Sequence, residues 1–215
     1  QETYDKRVKK FCTNLGYTFI ELPDKKELKI ANDFDIICGK VPFYDSWVMI
    51  KDGNQNVLNV NDCVLEDPSL VHNIKKYTKN ADIDVLFTQF SYASFSDPEN
   101  RSYRARKQLE TIKLQNDVLS PKNIIPFASF IYFAHEENFY MNDSINTPEV
   151  VEDYINKNLN VDSIWLKPNE NWVLKGQAQK EFSAKSPYST PTFATIEIQA
   201  KSWWNRWWNK WWNRW

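Results

Sequence analysis

The chain has 215 residues, 42% of them hydrophobic and 15% aromatic, so a sizeable core can be buried and one domain is the expectation. Only four glycines are present, and neither G-x-G-x-x-G nor G-x-x-x-x-G-K-[ST] can be written, which argues against a phosphate-cradling loop. The formal net charge is -1, but the last fifteen residues hold four of the 27 basic side chains and no acid. The body is therefore 23 basic (27 less 4) against 28 acidic, with no basic stripe for nucleic acid.

Cys12, Cys38 and Cys63 lie about 25 residues apart and form no C-x-x-C. An odd count without close pairs reads as reduced thiols in a cytoplasmic protein, and it argues against a structural zinc held by cysteines. No apolar run approaches the roughly 20 residues of a membrane helix, so a membrane is not an expected partner. No signal peptide is visible. The chain opens on Gln1 with charge at once, which reads as a break inside a longer protein.

In chain order, residues 4–15 suggest a short helix with Val8, Phe11, Cys12 and Leu15 on one face, stopped by Gly16. "YTFIEL" and "ELKI" read as strands flanking the turn at Pro23-Asp24-Lys25, and "FDIICG" as a third. Trp47–Ile50 and Val57–Val60 form a hairpin around Asp52-Gly53. Pro68 starts a helix to about Lys76, and 83–90 is a buried strand. Residues 101–119 are helical, with Ala105, Leu109, Ile112 and Leu119 on one side and Pro121 beyond the end. "NIIPFASFIYFA" reads as a central strand apolar on both faces. Thr147-Pro148-Glu149 opens a helix to about Asn158, Thr as cap and Pro in the first turn. "SIWLKP" is a strand, 176–200 is weakly patterned, and strands alternating with helices through 57–167 predict an α/β layered domain.

Residues 203–215 are a perfect four-residue repeat, WWNR-WWNK-WWNR-W, holding seven of the ten tryptophans. A helix there would carry a Trp stripe opposite Arg and Lys, like a membrane-surface peptide. A four-residue period is also a twelve-base period, as expected of translated simple-sequence repeat, and 201–215 is read as foreign to the fold.

Three stretches could carry chemistry. "LNVNDC" ends a strand at Asn61-Asp62, placing a carboxylate at the sheet edge where α/β proteins keep their sites, or simply starting a loop. The stretch "FIYFAHEENFYMND" delivers His135 from the end of a strand among Glu136, Glu137, Asn138, Tyr140, Asn142 and Asp143. Those neighbours could fix the imidazole tautomer or be a solvated loop. "TQFSYASF" puts Gln89, Ser91 and Tyr92 beyond a strand end among aromatics suited to a pocket. G-x-S-x-G is absent, and His72 lies on a helix as a surface residue. Two histidines and no H-x-H-x-D-H cannot complete a two-metal hydrolase site.

Taken together, "DSWVMIKDGNQNVLNVNDC", "DIDVLFTQFSYASF", the Arg104–Lys107 helix start and "IPFASFIYFAHEENFYMNDSINTP" resemble the metallo-β-lactamase-fold part of the CMP-N-acetylneuraminate hydroxylase and UDP-N-acetylmuramate hydroxylase family. The similarity covers about residues 40–150. It implies a partial αββα sandwich, the second half plus part of the first, spanning 1–175 and lacking its N-terminal metal loop. Residues 176–200 would be an extension and 201–215 the tail. It also implies that Asp62 matches the family's mid-chain Asp ligand and His135 its late His ligand, the remaining ligands lying upstream of Gln1. A divalent metal, Zn or Fe, would bind in the intact protein. A nucleotide sugar would be the substrate, with a Rieske iron–sulfur domain as a possible electron-transfer partner. Asn61, Gln89, Ser91, Tyr92, Glu136, Glu137, Asn138, Tyr140, Asn142 and Asp143 would support the metal or touch substrate. The alternative is a degenerate, non-catalytic domain that binds a nucleotide sugar or a partner.

Overall fold

The computed structural model describes residues 5–166 and 171–174. The chain divides into two units at Trp165/Leu166, and only residues 166 and 171–174 of the second are described. The expectations for 176–200 and 201–215, including "TFATIEIQA" and the Trp repeat, lie outside the described residues.

The first unit is mixed α/β, built on one seven-stranded sheet with the spatial order β1-β2-β3-β4-β5-β6-β7. β1 (Lys26–Ala31), β2 (Phe34–Lys40), β3 (Ser46–Asp52) and β4 (Gln55–Asn61) form an antiparallel meander. The Asp52-Gly53 turn forms as expected, with Gly53 at φ 57 where a Cβ would be strained. β4, β5 (Val85–Gln89), β6 (Asn123–Phe127) and β7 (Asp162–Ser163) are parallel. Parallel neighbours need crossovers, supplied by α2 (Pro68–Tyr77), α3 (Arg101–Leu119) and α4 (Pro148–Asn158). Asp67 caps α2 through the Ser69 N–H (2.8 Å) and Thr147 caps α4 through Val150 (3.4 Å).

The two sheet faces differ. Ile37, Met49, Leu58, Leu86 and Ile124 are directly paired across five strands and share a face, each no more than 1% exposed. Val71 and Ile74 of α2, Ile112 and Leu119 of α3, and Val151 and Ile155 of α4 complete that core. At about 25 cal/mol per Å² of apolar surface, this is the main stabilising term. The row on the opposite face, Cys38–Val48–Asn59–Phe87–Ile125, belongs to neither of the two buried apolar clusters.

Several expectations are corrected. Residues 17–22 make no strand; Pro23 offers no N–H and Lys25 turns through φ 57, so the chain enters the sheet only at Lys26, after a bridge between Asp24 and Cys38. The expected strand 124–134 stops at Phe127, because Ala128 at φ 60 breaks the pleat and the ladder gives way to side-chain bonding at Ser129. Of the described residues of "SIWLKP", Ser163 alone joins β7, although the Ile164 N–H still reaches the Ile124 carbonyl at 2.8 Å. α1 (Arg7–Asn14) forms, but its apolar face buries nothing: Val8, Phe11 and Leu15 are all more than half exposed.

On the covered face, Glu27 accepts from Lys51 (2.7 Å) and Lys79 (2.6 Å), and these two ammonium groups hold its carboxyl below the ordinary value. A depressed carboxyl pKa stabilises the fold above the ordinary carboxyl range, and that contribution is lost as pH falls through the folded value. Glu27→Gln is therefore expected to cost up to ~1 kcal/mol at neutral pH. The difference in Tm from wild type should vanish in strong acid; a difference that persists there would assign the loss to packing.

Candidate functional site

The C-terminal ends of β4, β5 and β6 lie side by side on one edge of the sheet, Asn61 beside Thr88 and Gln89 beside Phe127. Asp62 follows β4 directly and is exposed. Asn61, at φ 46, donates its amide to the Asp62 carboxylate, while the Asn61 backbone N–H is held by the Asn59 side chain at 2.8 Å. The end of β4 is thus turned outward by local hydrogen bonds. Gln89 closes β5 half-buried, and its carbonyl accepts from Gln108 at 3.2 Å.

His135 does not sit at a strand end. It lies eight residues beyond Phe127, immediately before a 3-10 segment, Glu136–Ser144. Its side chain is 72% exposed, with Nδ1 3.9 Å from the exposed carboxylate of Glu137. Glu136 and Asp143 are exposed as well. His72 is exposed on α2, its ring 2.8 Å from the Pro68 carbonyl.

The remaining residues singled out from the sequence build the support beneath this excursion. Tyr92, Ala105, Phe133 and Met141 form a second small core, with Tyr140 packed against it. The Tyr92 hydroxyl donates to the Met141 carbonyl at 2.6 Å, and burial pushes its pKa up, so it stays a protonated donor. The Tyr140 hydroxyl donates to the Ser96 carbonyl at 2.7 Å. Asn142 closes the loop on itself, accepting from the Phe133 N–H (2.9 Å) and donating to the Phe133 carbonyl (2.7 Å). The Asn138 N–H caps the His135 carbonyl at 3.0 Å, and its side-chain oxygen is buried without a hydrogen-bond partner among the described residues. Ser91 is fully buried; its hydroxyl accepts the Asn146 N–H at 3.0 Å and its carbonyl accepts from Ser129 at 3.0 Å.

Two contributors escaped the sequence reading. Asn146 is 6% exposed and donates to the carbonyls of Phe90 (3.0 Å) and Ala105 (2.8 Å), fastening the end of the excursion to β5 and α3. The signal was slight: an Asn just ahead of the Thr147-Pro148 cap. Asp45 precedes β3, which runs antiparallel to β4, so it shares the edge with Asp62. Burial, and then the Asp62 carboxylate, push its pKa up. No spacing in sequence links residues 45 and 62; only the hairpin register does. Next to them Cys63 is buried, and burial together with these two carboxylates pushes its thiol up to about 12. In the absence of a metal it is therefore a protonated thiol rather than a reactive thiolate.

An exposed carboxylate and an exposed imidazole are donors of the kind that zinc and iron accept. Their number falls short: among the described residues no three His, Cys, Asp or Glu side chains come together as a metal site. No described helix is long and apolar enough to cross a membrane.

No family model matches the chain, and no curated protein matches it. Among solved structures, it is similar to a CmlA beta-hydroxylase mutant, at 15% identity and a TM-score of 0.46 over 72% of this chain and 34% of the hydroxylase. It is also similar to a protein described as a zinc-dependent hydrolase of the metallo-beta-lactamase superfamily from Thermotoga maritima, at 15% identity and a TM-score of 0.40 over 66% of this chain and 69% of that one. The chain thus spans about a third of the length of the hydroxylase.

Proposed function

We propose that this chain forms part of a metal-dependent enzyme domain of the metallo-β-lactamase type, a hydrolase or hydroxylase, in which Asp62 and His135 each give one ligand to a divalent ion such as zinc or iron. The supporting observation is the sheet edge itself: three adjacent parallel strands end together, one releasing an exposed Asp62 and another leading into the braced excursion that carries His135. A bound divalent ion would act as a Lewis acid and activate water or substrate oxygen. Asn61 orients the Asp62 carboxylate, and Glu137 places a negative charge 3.9 Å from the His135 ring. The other ligands come from outside the described residues.

The finer reading rests on the sequence resemblance: a nucleotide sugar as substrate and a Rieske-type centre on another domain as electron donor. A second reading, a degenerate domain that binds the sugar without metal, is favoured because among the described residues no three His, Cys, Asp or Glu side chains come together as a metal site.

Metal titration separates these readings. Calorimetry on the full chain with Zn²⁺, and anaerobically with Fe²⁺, should show one site whose affinity drops by at least ~10-fold in Asp62→Ala and in His135→Ala. Unchanged binding in both variants would overturn the metal reading. No binding by wild type, with a UDP- or CMP-sugar still retained, would establish the degenerate domain.

A further inference from the structure

A basic cluster braces the last part of the 128–147 excursion. Arg101 and Arg104 stand one turn apart at the start of α3, so their side chains share a face. The other described arginines meet carboxylates: Arg7 pairs with Asp5 and Arg106 with Glu110. These two do not. Half-buried Arg101 donates from Nε to the Ser144 hydroxyl (3.2 Å) and from Nη1 to the Pro98 carbonyl (2.7 Å). Its guanidinium lies 5.7 Å from the centre of the Tyr140 ring. Arg104 donates to the Ser94 hydroxyl at 2.8 Å, and the Ser102 and Ser144 hydroxyls are 3.3 Å apart. Both guanidinium charges are felt at the Tyr92 hydroxyl, where burial is the larger influence and they oppose it. Asp97, Glu99 and Asp143 are near in sequence, yet all three are exposed and none pairs with either arginine among the described residues.

We infer that Arg101 and Arg104, with the Ser94, Ser102 and Ser144 hydroxyls, form a binding site for a phosphoryl group of a small molecule. The uncharged oxygens they now bond satisfy donors but supply no counter-charge. Position compounds this. Both guanidinium groups belong to the first turn of a 19-residue helix that has no acidic residue there and no side-chain cap, so the helix dipole opposes them. A bound anion relieves that opposition. A guanidinium fork matches phosphate geometry, with parallel N–H bonds to two oxygens. A phosphoryl group suits the cluster better than a carboxylate does. One fork already fills both oxygens of a carboxylate, whereas a phosphoryl group has three, enough for two forks and the hydroxyls together. The serine hydroxyls can turn from acceptors into donors by rotation alone. Because Arg101 and Ser102 both reach Ser144, the ligand would also tighten the excursion that carries His135. The inference is independent of the metal reading, since neither Asp62 nor His135 is among these residues.

Calorimetry on the full chain tests it, in EDTA and at low salt, with inorganic pyrophosphate as the probe. Wild type should bind pyrophosphate at one site. Arg101→Gln and Arg104→Gln should each weaken that binding by ~10-fold or more. Arg106→Gln removes the same charge from the same helix and should change it far less. Equal losses in all three would reduce the binding to general charge and overturn the proposal. Because Arg101 also braces the excursion, Ser102→Asp supplies a second arm that leaves the brace in place. Its carboxylate, beside the Arg101 guanidinium and in the first turn of α3, should abolish pyrophosphate binding with Tm unchanged or raised. Orthophosphate and UDP then identify the source. Equal affinity marks a free ion and tighter binding of UDP marks a phosphoester; either supports the site. Absence of pyrophosphate binding by wild type in the millimolar range overturns it, as does binding that Ser102→Asp leaves intact.

Discussion

Gly39→Ala is expected to destabilise the fold by about 3 kcal/mol, the upper range for overpacking a core. Gly39 is paired with Trp47 across β2 and β3, and both point to the helix-covered face. The indole is 1% exposed and lies over the glycine so closely that an added Cβ would overlap its Cε2 and Cζ2 atoms. Neither partner gives way easily: Gly39 is held in the β2–β3 ladder, one pair from its end, and the tryptophan is packed among core side chains. Urea unfolding followed by circular dichroism should show a lower midpoint at constant m-value. The pair is a shape match, so Gly39→Ala with Trp47→Leu should recover part of the loss. A single-variant change below ~0.5 kcal/mol would mean the indole has room to move, and the notch account would fail.

The second large effect concerns the support of the candidate site. Asn146→Ala should cost about 1–3 kcal/mol, since it strips the donor from the buried Phe90 carbonyl and removes a second bond to the Ala105 carbonyl, which keeps its partner within α3. Those carbonyls belong to Phe90, just past β5, and Ala105, in α3, so the amide ties the end of the 128–147 excursion to both layers. Asn146→Asp should be at least as damaging, because it exchanges a donor for a buried charge facing carbonyl oxygens. Limited proteolysis gives the discriminating readout: cleavage within 128–147 should accelerate in Asn146→Ala before global unfolding. Uniform acceleration along the chain would show that the amide serves the core as a whole rather than the excursion.

Much of the α/β layout was legible because periodicity and punctuation coincided. Asp52-Gly53, Pro68, and Thr147-Pro148 mark boundaries by fixing φ or removing a donor, which are local effects that need no tertiary context. The helix over 101–119 was likewise written in its apolar spacing. The failures lie where local pattern and tertiary pairing diverge. "YTFIEL" has strand composition but no neighbour to pair with, and "FASFIYFA" is apolar enough for a strand yet turns away at Ala128. Composition reports willingness to be buried; it does not report whether a ladder partner exists. The same limit governed the site. Asp62 was visible because it follows a strand directly. Ser91, Tyr92 and Asn142 carry polar atoms suited to a ligand, but the structure spends those atoms on backbone carbonyls and N–H groups. Asp45 could be placed at the edge only through the β3–β4 register.

The strand order runs from β1 to β7 without once reversing. In doubly wound sheets a ligand crevice opens where the order turns back, because crossovers on either side of that point diverge to opposite faces. Here every crossover advances in the same direction, and the near-universal right-handedness of such connections then sends all three helices to one side. The sheet consequently has no switch point and cannot open a crevice between its own helices. Under the proposed function, any cleft at the edge bearing Asp62 is instead walled by what rises above that edge, the braced 128–147 excursion.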